Sequence, residues 1–190
     1  MQTSPTRYHG LAITLHWVMA IAFILMLTSG ILMGDIADKA QRFKVFQWHK
    51  SLGVILLISF FLRLTIRLMF VHPDLPANIK PLEKKAAKAG HYLLYAAMIA
   101  VPFTGWATVS SSVIGLPTIV FGLFEWPHIP GIAGNKDLAE FFEESHGLLA
   151  YSFLALIVVH VAAVIKHAAI DHENLLPRMG IGRVKKGNES

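Results

Sequence analysis

Four long runs of apolar residues alternate with shorter polar segments along this chain. They extend from Leu11 to Met33, from about Trp48 to Met69, from about Ala89 to Val109, and from His146 to about His167. Each reaches the length of about 20 largely apolar residues that a helix needs to cross a hydrocarbon core. The pattern predicts an all-α integral membrane protein, a four-helix bundle with one domain over residues 1–172 and a basic tail at 173–190. Arg7 before the first run gives it the outline of a secretion signal. That run is far longer than the usual apolar region of about 7 to 15 residues and ends in no small-x-small cleavage site, so it counts as a span.

The connections carry further pattern. Pro73, Pro76 and Pro81 break the chain after the second run, and Pro102 lies inside the third, where proline usually kinks a helix. The longest connection, from Ser110 to Ser145, is not plainly hydrophilic. Its apolar stretch Thr118 to Trp126 suits a short helix lying in the membrane interface. Two readings of this connection stand side by side: a plain covering flap, or a lid over an outer redox site.

Composition agrees with the pattern. The 190 residues are 54% hydrophobic and only 15% charged, with mean hydropathy +0.53, against about 25% charged in an average soluble domain. The net charge of +5 and pI near 9.6 would suggest a nucleic-acid partner in a soluble protein. Here no nucleic acid is expected, because the positive charge sorts by topology. Of the 17 Lys and Arg, only Lys39, Arg42, Lys44, Lys50 and Lys136 fall on one side of a four-span arrangement. The other twelve, among them Arg63, Arg67 and the run Lys80 to Lys88, fall on the opposite side, which the positive-inside rule makes cytoplasmic along with both termini. Arg63 and Arg67 are expected to snorkel to the inner headgroups, and the tail from Asp171 to Ser190 to lie against anionic lipid. Cysteine is absent, which excludes disulfides, iron-sulfur clusters, thiolate ligation and covalent haem attachment.

Histidine carries the candidate chemistry. Of ten histidines, His9, His72, His128 and His172 fall in tails and loops. His146 and His160 share the fourth run, fourteen residues apart. At about 1.5 Å and about 100° per residue they lie roughly 21 Å apart along the helix and about 40° apart around it. Ionisable groups inside a membrane are costly, so two aligned ones point to metallocofactors at two depths. His16 falls at the depth of His160, and His49 at the depth of His146. Bis-histidine haem needs ligands from facing helices at one depth, so the expected pairs are His16 with His160 and His49 with His146. Gly30, Gly34, Gly53 and Gly147 stand where a cofactor edge would need room. His91 and His167 also lie near the inner level. Each remains an alternative inner ligand, or an interfacial hydrogen-bonding group for a haem propionate or a quinone head. Met19, Met26 and Met98 suit apolar packing. Zinc or copper would need three or four converging ligands. Glu143 and His146 form one Glu-x-x-His step where a di-iron bundle needs two.

Thr14-Leu15-His16-Trp17, His49-Lys-Ser-Leu-Gly53, Gly90-His91-Tyr-Leu-Leu-Tyr95, Pro102-x-x-Gly105 and the His146–His160 spacing resemble the prokaryotic cytochrome b561 family over about residues 7 to 178. The wider superfamily includes the membrane cytochrome subunits of hydrogenases and formate dehydrogenases. The resemblance implies a bundle binding two haem b groups on the same axial pairs, in the bacterial inner membrane, exchanging electrons with ubiquinone. In one branch it implies oxidation of superoxide at the outer face, a quinone-linked oxidoreductase activity. It also implies that His91 lies outside the ligand set. Lys39, Arg42, Lys44 and Lys50 near His49 would then form a cationic mouth that steers a small anion, or else bind propionates or lipid phosphates. Two rival readings remain: a membrane anchor relaying electrons between quinone and a partner dehydrogenase or soluble cytochrome, and a haem-free transporter with histidine proton relays. Oligomeric state is not legible.

Overall fold

The computed structural model describes residues 5–183 apart from positions 75, 77 and 78. The tail lysines Lys185 and Lys186 lie outside the described residues. Four helices account for most of the chain: α1 (Gly10–Leu32), α2 (Lys39–Met69), α3 (Pro81–Ser111) and α4 (Lys136–Ala169). All four are long and apolar enough to cross a membrane. They run up and down, so the starts of α1 and α3 and the ends of α2 and α4 share one end of the bundle. There the chain beginning and the segment after α4 are tied together, Tyr8 donating its N–H to the Arg178 carbonyl at 3.1 Å and the Trp17 indole donating to the Met179 carbonyl at 2.9 Å. We call this the terminal end.

Three helices are longer than the apolar runs, each starting about eight to ten residues early. Their caps explain the extension. Asp38 accepts from the Gln41 N–H at 2.7 Å, Asn135 accepts from the Leu138 N–H at 3.1 Å, and Pro81 opens α3 at the position where a missing N–H costs nothing. Lys39, Arg42 and Lys44 therefore stand on the first turns of α2 rather than in a loop. Hydropathy marks what a membrane covers, whereas capping sets where a helix starts, so the two boundaries need not coincide. His9, assigned to a tail by sequence, caps α1 through Nδ1 and stacks on Phe70 with ring centres 3.8 Å apart.

The other end is closed by an antiparallel hairpin of β1 (Thr118–Val120) and β2 (Phe124–Trp126). The interfacial helix expected over these residues is not formed. Thr118, Ile119 and Val120 are a β-branched run, and the turn after them has positive φ at Phe121 (47°) and Gly122 (77°), the type I′ pattern that suits hairpins. The hairpin sits on α2. Val120 is buried, Lys50 Nζ donates to the Pro117 carbonyl at 2.7 Å, and Ser51 Oγ accepts from the Phe121 N–H at 3.1 Å. On the α3 side, Ser110 Oγ accepts from the Ile129 N–H at 3.0 Å and the Trp106 indole donates to the Pro127 carbonyl at 2.8 Å. The connection between α3 and α4 is thus fastened to two helices.

Between the ends, Met19, Phe23, Leu56, Phe60, Ala97, Met98 and Phe153 form the buried core. Large aliphatic side chains on the outer faces, such as Ile21, Leu25, Ile58, Leu62, Val158 and Val159, are exposed, as a lipid-facing surface requires. Met19 and Met98 pack as apolar residues in that core. Replacing Ser51 with alanine would leave the Phe121 N–H without its partner, at a cost of about 1–3 kcal/mol. A lowered thermal unfolding midpoint and faster proteolysis within residues 112–135 are the expected results.

Candidate cofactor-binding site

The four histidines singled out by spacing meet in two pairs. The rings of His49 on α2 and His146 on α4 have centroids 6.2 Å apart, with planes at 85°. Those of His16 on α1 and His160 on α4 are 6.5 Å apart at 66°. An iron bonded to one nitrogen of each ring at about 2 Å, the usual length of a metal–imidazole bond, would set two ring centres roughly 6 Å apart. Both separations fit. Helix α4 contributes to each pair because fourteen residues return nearly the same face after about 21 Å. Phe153 lies midway, seven residues from each histidine, and meets Phe23 edge-to-face at 4.8 Å. The core residues therefore separate the two levels.

At the hairpin end the imidazole environment is set by acceptors. His146 Nδ1 lies 2.9 Å from the Val101 carbonyl, which can only accept, so this nitrogen carries the hydrogen. Thr104 Oγ1, 3.3 Å away, spends its own proton on the carbonyls of Ala100 and Val101. His49 Nδ1 lies 3.0 Å from Ser29 Oγ, whose proton goes to the Met26 carbonyl, so His49 also donates. Both rings consequently keep an Nε2 lone pair free for a metal. Two glycines make room for them. A Cβ at Gly105 would stand 2.9 Å from His146 Cε1, and one at Gly30 would stand 3.3 Å from His49 Cε1. Of the other glycines expected to matter, Gly53 faces Met26, whereas Gly34 and Gly147 have no neighbour within 4 Å of a Cβ.

The terminal end is built differently. Arg63 does not snorkel outward. Its guanidinium lies 3.1 Å from His16 Nδ1 and 5.8 Å from the Tyr95 ring centre, and its Nε is buried without a partner. The spacing offered this signal, since Arg63 follows His49 by the same fourteen residues that separate the two α4 histidines. Arg67, one turn on, is exposed as expected. His91 brings its ring to 5.7 Å from that of His160, so three imidazoles gather at this level. His91 also bonds the backbone of Ala87 one turn earlier on its own helix. His167 is committed elsewhere, with Nδ1 2.6 Å from Asp171 Oδ2.

Glu83, His167 and Asp171 bring three potential metal-ligand atoms close together. Lys166 Nζ already stands among them, 2.5 Å from Glu83 and 2.7 Å from Asp171. The hydrogen bond from Lys166, aided by His167, holds the Asp171 carboxyl below the usual carboxylate range. This cluster is an ion-pair clasp between the start of α3 and the end of α4. Near His49, Lys50 is buried and turned onto Pro117, which removes it from the expected cationic mouth. Lys39 and Arg42 remain exposed and line a groove with Met33, Gly34, Phe43 and Phe46.

Comparison with known proteins places this geometry in context. The family described as "Prokaryotic cytochrome b561" matches residues 7–182. "Cytochrome b561 homolog 2" of Escherichia coli (strain K12) is 31% identical over 177 residues, covering 93% of this chain and 92% of that protein. "Probable superoxide oxidase CybB" of Yersinia pestis is 30% identical over 173 residues, covering 91% and 95%. "Cytochrome b561 homolog 1" of Escherichia coli (strain K12) is 23% identical over 174 residues, covering 91% and 96%.

The two glycine classes give a direct test. Gly105→Ala forces the His146 ring to shift and should cost about 1–3 kcal/mol, the usual range for overpacking. Gly147→Ala meets no neighbour and should leave the thermal unfolding midpoint at or above that of the parent, since alanine favours a helix by about 1 kcal/mol.

Proposed function

Because this chain belongs to the prokaryotic cytochrome b561 family, a family of haem-binding membrane proteins of electron transport, we propose that it carries two haem b groups. On this reading it passes electrons across the bacterial inner membrane between a donor at the hairpin end and ubiquinone. His49 and His146 hold one haem, His16 and His160 the other. The observation that carries the reading is the pair of matched ring separations, 6.2 and 6.5 Å, repeated at two depths by one helix. His91 stands outside the ligand set, as a neighbour of His160. Bound haem supplies reversible one-electron chemistry at each level.

The residues of the chain do the rest. Val101, Ser29 and Thr104 fix the tautomer and orientation of the hairpin-end imidazoles, the supporting role that partners of metal-ligating histidines usually have. Gly30 and Gly105 let those rings approach α1 and α3. Phe23 and Phe153 keep the space between the levels apolar. The hairpin, fastened through Lys50 and Ser51, packs on α2 at the residues immediately after His49. With the basic terminal end in the cytoplasm, the hairpin end faces outward, and superoxide is a donor of suitable size and charge. The name of the Yersinia pestis relative supports this donor. Lys39, Arg42 and Lys44 are exposed at that end and steer an anion toward it.

Reduced-minus-oxidised spectra with haem quantification test the reading, two haems per chain being the expected result. His146→Ala should lose one low-spin signal and His160→Ala the other; loss of the same haem from both would remove the two-level assignment. Neutralising Lys39, Arg42 and Lys44 together should slow haem reduction by superoxide in a manner that weakens as salt is raised. Quinol-dependent reduction that occurs only with a partner subunit would instead identify a membrane anchor.

A further inference from the structure

The two histidine pairs differ in the groups that face them. At the hairpin end, His49 and His146 each donate Nδ1–H to an uncharged acceptor, Ser29 on one side, Val101 and Thr104 on the other. No Arg, Lys, Asp or Glu is among the interactions resolved for either ring. At the terminal end a guanidinium stands among the rings. Arg63 is 3.1 Å from His16 Nδ1 and acts on His16 and His160, and more weakly on His91, on which Arg67 acts as well. No carboxylate acts on these three imidazoles among the interactions resolved for the described residues. An Arg63–carboxylate salt bridge is also absent among the salt bridges resolved for the described residues.

We propose that Arg63 is a positioning residue that sets the reduction potential of the terminal-end haem above that of the hairpin-end haem, so that electrons run downhill from the outer level to the inner one. The inference rests on the ligand pairs proposed above. Two effects act in the same direction. Donation of Nδ1–H to an acceptor makes an imidazole a stronger electron donor to its metal, which favours the oxidised state and lowers the hairpin-end potential. An adjacent positive charge disfavours the oxidised state, which carries one more positive charge than the reduced state, and raises the terminal-end potential. In a medium of effective dielectric constant about 20, a unit charge within about 10 Å changes a reduction equilibrium roughly tenfold, which is about 59 mV for one electron.

The tautomers sharpen the contrast. A guanidinium only donates, so the His16 nitrogen that faces it offers a lone pair. Coordination of His16 through Nε2 would place the proton on Nδ1 and end that hydrogen bond. The charge stays at the same depth, because it is carried on α2 and enclosed there beside Tyr95, with the buried Nε free to take an acceptor.

The full-length protein, purified with its haems and titrated by spectroelectrochemistry, tests this. Haem content is measured first, so a failure of the ligand assignment shows as a wrong haem count and not as a shifted potential. The parent should show two one-electron components. Arg63→Gln should lower the upper component about tenfold in equilibrium constant and leave the lower one in place, whereas Arg63→Lys, which keeps the charge, should restore most of the gap. Ser29→Ala removes the acceptor from His49 and should raise the lower component only. A single unresolved component in the parent would overturn the proposal. So would an Arg63→Gln variant with both components unmoved, or a Ser29→Ala variant that moves the upper one. If Arg63→Gln fails to retain two haems, the parent and Ser29→Ala titrations decide the order of the components and Arg63→Lys the effect of the retained charge.

Discussion

An imidazole inside a membrane has two nitrogens to satisfy and no water to do it, and at the hairpin end the architecture follows from meeting that requirement twice. A ring whose Nδ1 is bound to a backbone carbonyl or a hydroxyl on a neighbouring helix keeps an Nε2 lone pair free, and a second ring faces it at a centroid separation of 6.2 Å. Helix α4 supplies one ring to each pair because fourteen residues nearly complete four turns, and at the hairpin end alone a hydroxyl and a backbone carbonyl hold the Nδ1 atoms. The supporting groups then fix the neighbours: Ser29 ties α1 to α2, and Val101 with Thr104 ties α3 to α4. Small residues follow as well, since Gly30 and Gly105 sit where any side chain would strike a ring.

Around this arrangement each end of the bundle is closed by different means. At the hairpin end, Lys50 and Ser51 hold backbone groups of the α3–α4 connection, while Trp106 and Ser110 hold its later part. At the terminal end the closure is electrostatic, through Lys166 between Glu83 and Asp171, and through the backbone link of Tyr8 to Arg178. Neither closure draws on His16, His49, His146 or His160, whereas His167 belongs to the terminal-end clasp through Asp171, so the four paired imidazoles remain available to a cofactor.

What the sequence made legible is tied to periodicity. The four spans are written in runs of apolar residues, and the two histidine levels in a spacing commensurate with the helix, so their pairing could be argued without coordinates. The hairpin was missed because an apolar nine-residue stretch has no long period to read, and the positive φ at Phe121 is invisible in a residue type that seldom adopts it. Arg63 was misplaced because a cation near a helix end ordinarily points to headgroups, and only its spacing from His49 set it apart from Arg67. Ser29 and Thr104 were missed for a simpler reason: hydroxyls in membrane helices usually bond their own backbone. Theirs do so too, which is what leaves them acting as acceptors toward the rings.

The layer of Phe23, Phe60, Leu56, Met98 and Phe153 between the two levels has a further consequence. These five side chains themselves carry no hydroxyl, carboxylate or imidazole, with Tyr95 packed against Phe60 at their edge, and on the proposed two-haem reading an electron would tunnel across such a thickness. Charge moved between the levels past these side chains would do work with or against the membrane field. One elementary charge carried across 100 mV is worth about 2.3 kcal/mol, and a part of the bilayer gives a corresponding part of that. On the proposed two-haem reading, the apolar core would thereby make electron transfer responsive to the energised state of the membrane, a property that belongs to none of the histidines.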